Sequence, residues 1–179
     1  MKDYQVIIED FKTELKKAEL SDETGVYFVF SATFDRSEGK ISYYNIHKLL
    51  YIGRSNDVQK RISGKHHKHA AIVSSCEKIA GAIPVYYYGQ VLRMTGASCD
   101  NDDLVRVESA LIYSKDPPLN ETADKAFHHP LTKISLLRSP NTCNVDDDGE
   151  FKPFPDAFNG SYVEVEDVTK SCTEDTVKG

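Results

Sequence analysis

Residues 26–30 (Val-Tyr-Phe-Val-Phe) form an unbroken run of five apolar, β-prone side chains behind Thr24-Gly25. A run that short and that apolar reads as a buried strand. Two more β-prone stretches offer it partners. Residues 41–44 and 47–52 read as extended structure making a hairpin with the first strand, and Gly53 closes that strand. Residues 83–88 read as a third strand, with Pro84 marking an edge or a strand start. Residues 31–40 read as a loop with turn chemistry around Ser37-Glu38-Gly39.

Three stretches have helical spacing. Ile7, Phe11, Leu15 and Ala18 predict an amphipathic helix over residues 3–20. Ser55, Asn56 and Asp57 are N-cap residues for a second helix, from about residue 57 to the middle 70s. Val58, Ile62, His69, Ile72 and Val73 supply its inner face, and Gly64 weakens its middle. Leu104, Val107, Leu111 and Ile112 predict a third helix over about 102–114, which Pro117-Pro118 stops. Beyond residue 125 the pattern weakens. Residues 131–137 fit a strand, 146–149 a turn, 162–165 an exposed strand, and the last ten residues a frayed end. The expected organisation is an N-terminal helix (1–23), a core (24–125), and an acidic extension (126–179) that is either a small β appendage or a tail.

The 179 residues suit one domain with appendages. No window approaches the ~18 apolar residues of a membrane span. The first residues, MKDYQVIIEDFKTELKK, mix charge into the apolar positions and do not read as a signal peptide. Cys76, Cys99, Cys143 and Cys172 are widely spaced without a CxxC, which suits free thiols in a reducing cytoplasm.

Net charge is −6, which alone argues against a nucleic-acid partner. The distribution reverses that argument. Residues 36–68 hold Arg36, Lys40, Lys48, Arg54, Lys60, Arg61, Lys65 and Lys68 against Glu38 and Asp57. His47, His66 and His67 add donors, while residues 126–179 are strongly acidic. A local basic surface on an acidic protein can still bind phosphates, because fields fade over about a Debye length, and a solvated face is the plain alternative. His66, His67 and His69 do not share one helical face, so a structural zinc site is disfavoured.

Five candidate residues stand out in order. Tyr27 and Tyr51, taken singly, read as core tyrosines, and Arg61 alone reads as a solvated helix residue. Glu108 lies at the edge of an apolar stripe, where a carboxylate needs a salt bridge or a metal. Asn120 follows Pro117-Pro118-Leu119 and reads as a turn residue.

Taken together, Gly25-Val26-Tyr27, Tyr51-Ile52-Gly53, Arg61 eight residues after Gly53, Glu108 and Asn120 resemble the GIY-YIG nuclease family. The resemblance covers residues 24–122. It implies a small α/β (α+β) fold, a three-stranded antiparallel sheet flanked by helices. It implies a metal-dependent endonuclease of restriction or repair type that hydrolyses DNA phosphodiester bonds. Glu108 is then the ligand of a single Mg²⁺ (or Mn²⁺), which favours few carboxylates and many waters. Arg61 stabilises the phosphate in the transition state, Tyr27 is the general base, and Tyr51 orients phosphate or water. Gly25, Gly53 and Asn120 shape the site. Arg54, Lys60, Lys68, Arg36, Lys40 and Lys48 contact nucleic acid.

Two departures from the pattern matter. The motifs lie further apart than is usual, as in restriction-type members whose inserted hairpin touches DNA. Lys65 stands where several members carry a histidine or tyrosine, so Lys65, His66 and also His47 are candidates to relay the proton from Tyr27. DNA is the expected partner, with a homodimer as one way to cut both strands. A cleavage-inactive nucleic-acid-binding module is the alternative, and the acidic tail is a candidate to occupy the basic surface by mimicking phosphates.

Overall fold

The computed structural model describes residues 1–37, 40–64, 66–95, 97–121, 126–140, 154–155, 158 and 162–166. Along the chain these form β1 (Lys2–Ile8), β2 (Lys12–Thr13), a 3₁₀ turn (Lys17–Glu19), β3 (Gly25–Ser37) and β4 (Lys40–Ser55). Then come α1 (Val58–Ser63), α2 (His69–Cys76), β5 (Ile83–Arg93), α3 (Asn101–Lys115), β6 (Thr132–Arg138) and β7 (Tyr162–Val165). The strand order is β4-β3-β5-β1-β6-β7, with β2 added against β5. Every pairing is antiparallel except β1 with β6, which is parallel.

This is a mixed, six-to-seven-stranded, strongly curled half-barrel sheet with three helices. It corrects the expectation of a small three-stranded antiparallel sheet. The three expected strands are present as β4, β3 and β5, but the sheet continues past β5. The cause lies in the N-terminal residues. Tyr4, Val6 and Ile8 alternate inward, almost wholly buried, so residues 2–8 follow period two and insert between β5 and β6. The expected helix over 3–20 is absent, and Leu15, assigned to its inner face, is 96% exposed. The described strands of the C-terminal segment are part of the same sheet and not an appendage. β6 joins the central sheet beside β1, and β7 pairs with β6, burying Val163 and Val165. The expected turn at 146–149 and the last ten residues lie outside the described residues.

Other elements differ in length. The expected loop at 31–40 is a continuation of β3, and its turn residues Glu38 and Gly39 lie outside the described residues. Gly53 does not end β4, which runs on to Ser55. β3 pairs with β5 from Val26 to Ala32; beyond that point it continues with β4 as a two-stranded ribbon. The second helix breaks at Gly64 into α1 and α2, as a weak helix former in its middle allows.

Both faces of the central strands are buried. Val26, Phe28, Phe30, Val85 and Tyr87 point to one face, where Leu104, Val107 and Leu111 of α3 cover them. Tyr27, Val29, Tyr86 and Tyr88 point to the other, against Val58, Ile62 and Ile72 of α1 and α2. A buried carboxylate anchors α3. Asp103 forms a capping box with Asp100 and accepts hydrogen bonds from the Tyr4 hydroxyl (2.7 Å) and Lys2 Nζ (3.0 Å). Arg93 pairs with it as well, and these donors hold its carboxyl well below the usual range despite burial. Among the described residues no helix is long and apolar enough to cross a membrane.

Candidate functional site

Tyr27 of β3 faces Gly53 of β4 across the strand pair. A β-carbon at Gly53 would stand 2.9 Å from Tyr27 Cε1 and closer still to Cζ and the hydroxyl. Glycine there is what lets the phenol lie flat over the β4 backbone. At Gly25 a β-carbon would stand 2.5 Å from the Gly89 carbonyl oxygen, so glycine lets β3 approach β5 at its start. Tyr51, two residues before Gly53, shares the face of Tyr27, with ring centroids 6.0 Å apart. The Asp57 side chain caps α1 by accepting the Lys60 N–H at 2.8 Å, which sets the helix carrying Arg61. The break after α1 then returns the chain, and His66 Nε2 comes 2.9 Å from the Tyr27 hydroxyl oxygen.

The Tyr27 oxygen is crowded with partners. His66 hydrogen-bonds to it, and the Arg61 guanidinium and the Tyr51 hydroxyl lie close enough to shift its titration. Burial pushes the Tyr27 phenol above its ordinary value, and the Arg61 and Tyr51 contacts pull it back down. Burial likewise raises Tyr51, helped by the neighbouring Tyr27 and Glu108. His66 is 6% exposed, and burial together with His67 and Arg61 pushes its imidazole down to about 4. It is therefore neutral at physiological pH. Arg61 Nη2 also lies 3.0 Å from His67 Nδ1.

Asn120 holds the outer edge of β4. Its Oδ1 accepts the Ile52 N–H at 3.0 Å, and its Nδ2 donates to the Ile52 carbonyl at 2.9 Å. The Leu119 N–H donates to the Leu50 carbonyl beside it. This side chain thus substitutes for a neighbouring strand at the residue between Tyr51 and Gly53.

Glu108 on α3 reaches the same edge. Its Oε2 lies 2.8 Å from Arg54 Nε, an ion pair in which the N–H is poorly aligned with the carboxylate. Arg54 Nη1 also donates to Asn101 Oδ1 at 3.3 Å. A polar cleft of about 330 Å³ opens here. Tyr51, Arg61, Lys68, Glu108 and Asn120 line it, together with His67 and Glu121. Tyr27 lies behind that wall, 1% exposed.

The structure therefore brings Tyr27, Tyr51, Arg61, His66, Glu108, Arg54, Lys68, Gly53 and Asn120 to one place. Lys68 Nζ pairs there with Glu121 Oε1 at 2.9 Å. Lys60 is exposed on α1. Arg36, Lys40 and Lys48 lie elsewhere, on the β3–β4 ribbon, where Arg36 stacks over Phe34 and His47 meets the Thr33 hydroxyl at 2.8 Å. At about 3.3 Å per residue, His47 lies roughly 20 Å along β4 from Gly53, the residue that pairs with Tyr27. His47 is therefore no neighbour of Tyr27. Lys65 lies outside the described residues.

Sequence reasoning missed His67 as a partner of Arg61 and Glu121 as a partner of Lys68. The signal for Glu121 was its place directly after Asn120; nothing in the spacing marked His67, which is placed by the break at Gly64. Among the described residues no group of three or more His, Cys, Asp or Glu side chains is placed to hold a metal ion. The arrangement puts two cations, two carboxylates and the Tyr51 hydroxyl on one polar wall, with neutral proton-carrying groups behind it. That suits holding a phosphodiester and moving a proton beside it. Comparison with family models, curated proteins and solved structures finds no match to this chain.

Proposed function

We propose that the chain is a metal-dependent endonuclease that hydrolyses DNA phosphodiester bonds, resembling the GIY-YIG nucleases. One observation carries the reading: Tyr51, Arg61 and Glu108 line one polar cleft, with Tyr27 hydrogen-bonded to His66 behind it, although they come from separate elements. Glu108, with the Tyr51 and Ser109 hydroxyls in the same lining, would hold a hard cation that keeps most of its ligands as water and substrate oxygen. When bound, Mg²⁺ or Mn²⁺ supplies Lewis acidity and a more acidic water.

The chain's own residues supply the rest. Arg61 binds the phosphate through its fork and stabilises the charge that builds in the transition state. Arg54 neutralises Glu108 in the free protein and has to yield when the carboxylate takes a cation. Tyr27 is too buried to meet a water directly, so as general base it works through Tyr51, which lines the cleft. Asn120 keeps the Tyr51 strand edge in place. Lys68 offers a second cation for the backbone once Glu121 is displaced.

The ion pair between Arg54 and Glu108 favours a second reading, a nucleic-acid-binding module without cleavage, because it leaves the carboxylate already neutralised. A supercoiled-plasmid assay with Mg²⁺, Mn²⁺ or EDTA decides between them. Metal-dependent nicking by the wild type, lost in Glu108→Gln and Arg61→Ala, supports the nuclease. Intact gel-shift binding with no cutting on several DNAs supports the binding module.

A further inference from the structure

We propose that His66 is a positioning residue that donates its Nε2–H to the Tyr27 oxygen and so turns the Tyr27 O–H away from the imidazole. The direction follows from the other ring nitrogen. His66 Nδ1 accepts the Lys68 backbone N–H at 3.2 Å, a donor that cannot be reversed. A proton on Nδ1 would set donor against donor. A neutral ring then carries its one proton on Nε2, which is the atom 2.9 Å from the Tyr27 oxygen.

The surroundings lock this arrangement. The His66 N–H donates to the Gly64 carbonyl at 2.9 Å, and the His66 carbonyl accepts from the His69 N–H at 2.9 Å. Tyr27, Tyr51 and His67 rings surround the imidazole at 5.8, 5.4 and 4.9 Å between centroids. The ring therefore cannot flip without losing the Lys68 contact and moving through its neighbours. Burial and the nearby cationic groups keep it neutral, which agrees with the geometry.

The consequence separates two roles. A relay would accept the Tyr27 proton on Nε2, and that nitrogen is already protonated. His66 therefore anchors the Tyr27 oxygen and takes no proton from it. The hydrogen-bond direction stands by itself; its catalytic meaning rests on the nuclease reading.

The test uses the full chain labelled with ¹⁵N-histidine and ¹³Cζ-tyrosine. Long-range ¹H–¹⁵N spectra of the wild type, with His66 assigned by its loss in His66→Gln, are expected to show a neutral Nε2–H ring with Nδ1 unprotonated. A ring protonated on Nδ1, or on both nitrogens, at neutral pH overturns the proposal. Glutamine keeps an N–H donor near the Nε2 position but cannot titrate. The Tyr27 ¹³Cζ signal, assigned with Tyr27→Phe, is expected near its wild-type position in His66→Gln and shifted in His66→Ala. Plasmid cleavage is expected to fall by about a hundredfold in His66→Ala and to recover by at least about tenfold in His66→Gln. A folded His66→Gln as inactive as the alanine variant shows that a titrating imidazole is needed and overturns the positioning role. If the wild type cuts nothing, the nuclease reading fails while the tautomer result is still read from the spectra.

Discussion

The seat of Tyr27 on Gly53 shows how one missing β-carbon sets the geometry of a whole cluster. The phenol occupies the space a side chain would need, with His66 on its oxygen and Arg61 and Tyr51 close enough to shift its titration. Gly53→Ala is expected to push the ring off His66 and to cost about 1–3 kcal/mol as overpacking. Cleavage should fall on the order of a hundredfold, as for a displaced reacting group. Urea unfolding and plasmid nicking on the same preparation check both. His66 makes a second prediction. Its imidazole titrates at about 4 in the folded chain against 6.5 in the unfolded one. Above 6.5 both states are neutral and the residue contributes no pH dependence. Between 6.5 and 4 the unfolded chain binds a proton that the folded site refuses, so stability falls as pH falls, by on the order of 3 kcal/mol in the limit. Other groups add their own slopes. The measurable quantity is therefore the difference between wild type and His66→Gln in urea midpoint from pH 7 to pH 4, and it should shrink steadily in favour of the variant.

At the scale of elements, the N-terminal segment separates two periodicities written over the same residues. Ile7, Phe11, Leu15 and Ala18 match a helix, while Tyr4, Val6 and Ile8 match a strand. The strand wins because two neighbours, β5 and β6, hydrogen-bond its backbone on both sides and bury one face. Neither neighbour can be foreseen from the segment itself. The strands nearest the site were legible for the opposite reason: 26–30 is apolar on both faces and needs no distant information to be read as a strand. The cleft was legible only in part. Tyr27, Tyr51, Arg61, Glu108 and Asn120 stand in recognisable order along the chain, whereas His67 and Glu121 are placed by a helix break and a turn that spacing does not encode. A pair of substitutions tests the strand. Ile8→Ala is expected to cost about 2–5 kcal/mol, as for a buried aliphatic side chain. Leu15→Asp, at a position 96% exposed, is expected to stay within about 0.5 kcal/mol. A helix over 3–20 would reverse that order in urea denaturation.

For the molecule as a whole, the separation of charge matters more than its sum. The chain carries −6, yet β4, α1 and the residues that link α1 to α2 hold most of the basic run from 36 to 68. Among the described residues, folding sets Arg54, Arg61 and Lys68 at the cleft and Arg36 and Lys48, exposed, on the ribbon of β3 and β4 that extends past the sheet. Such a ribbon has the width to enter a major groove, and its cations can neutralise phosphates well away from the cleft. Phosphate contacts release counterions, so each one contributes about −0.9 to the slope of log K against log salt on duplex DNA. If the ribbon carries part of the binding, Arg36→Gln with Lys48→Gln should weaken affinity and flatten that slope by about 2. The isolated cleft variant Arg61→Ala should flatten it by about 1 while abolishing cutting. Gel-shift titrations over 50–200 mM salt with EDTA present read the slopes without cleavage. An unchanged slope in the double variant would confine phosphate contact to the cleft and leave the ribbon's charges as solvated surface.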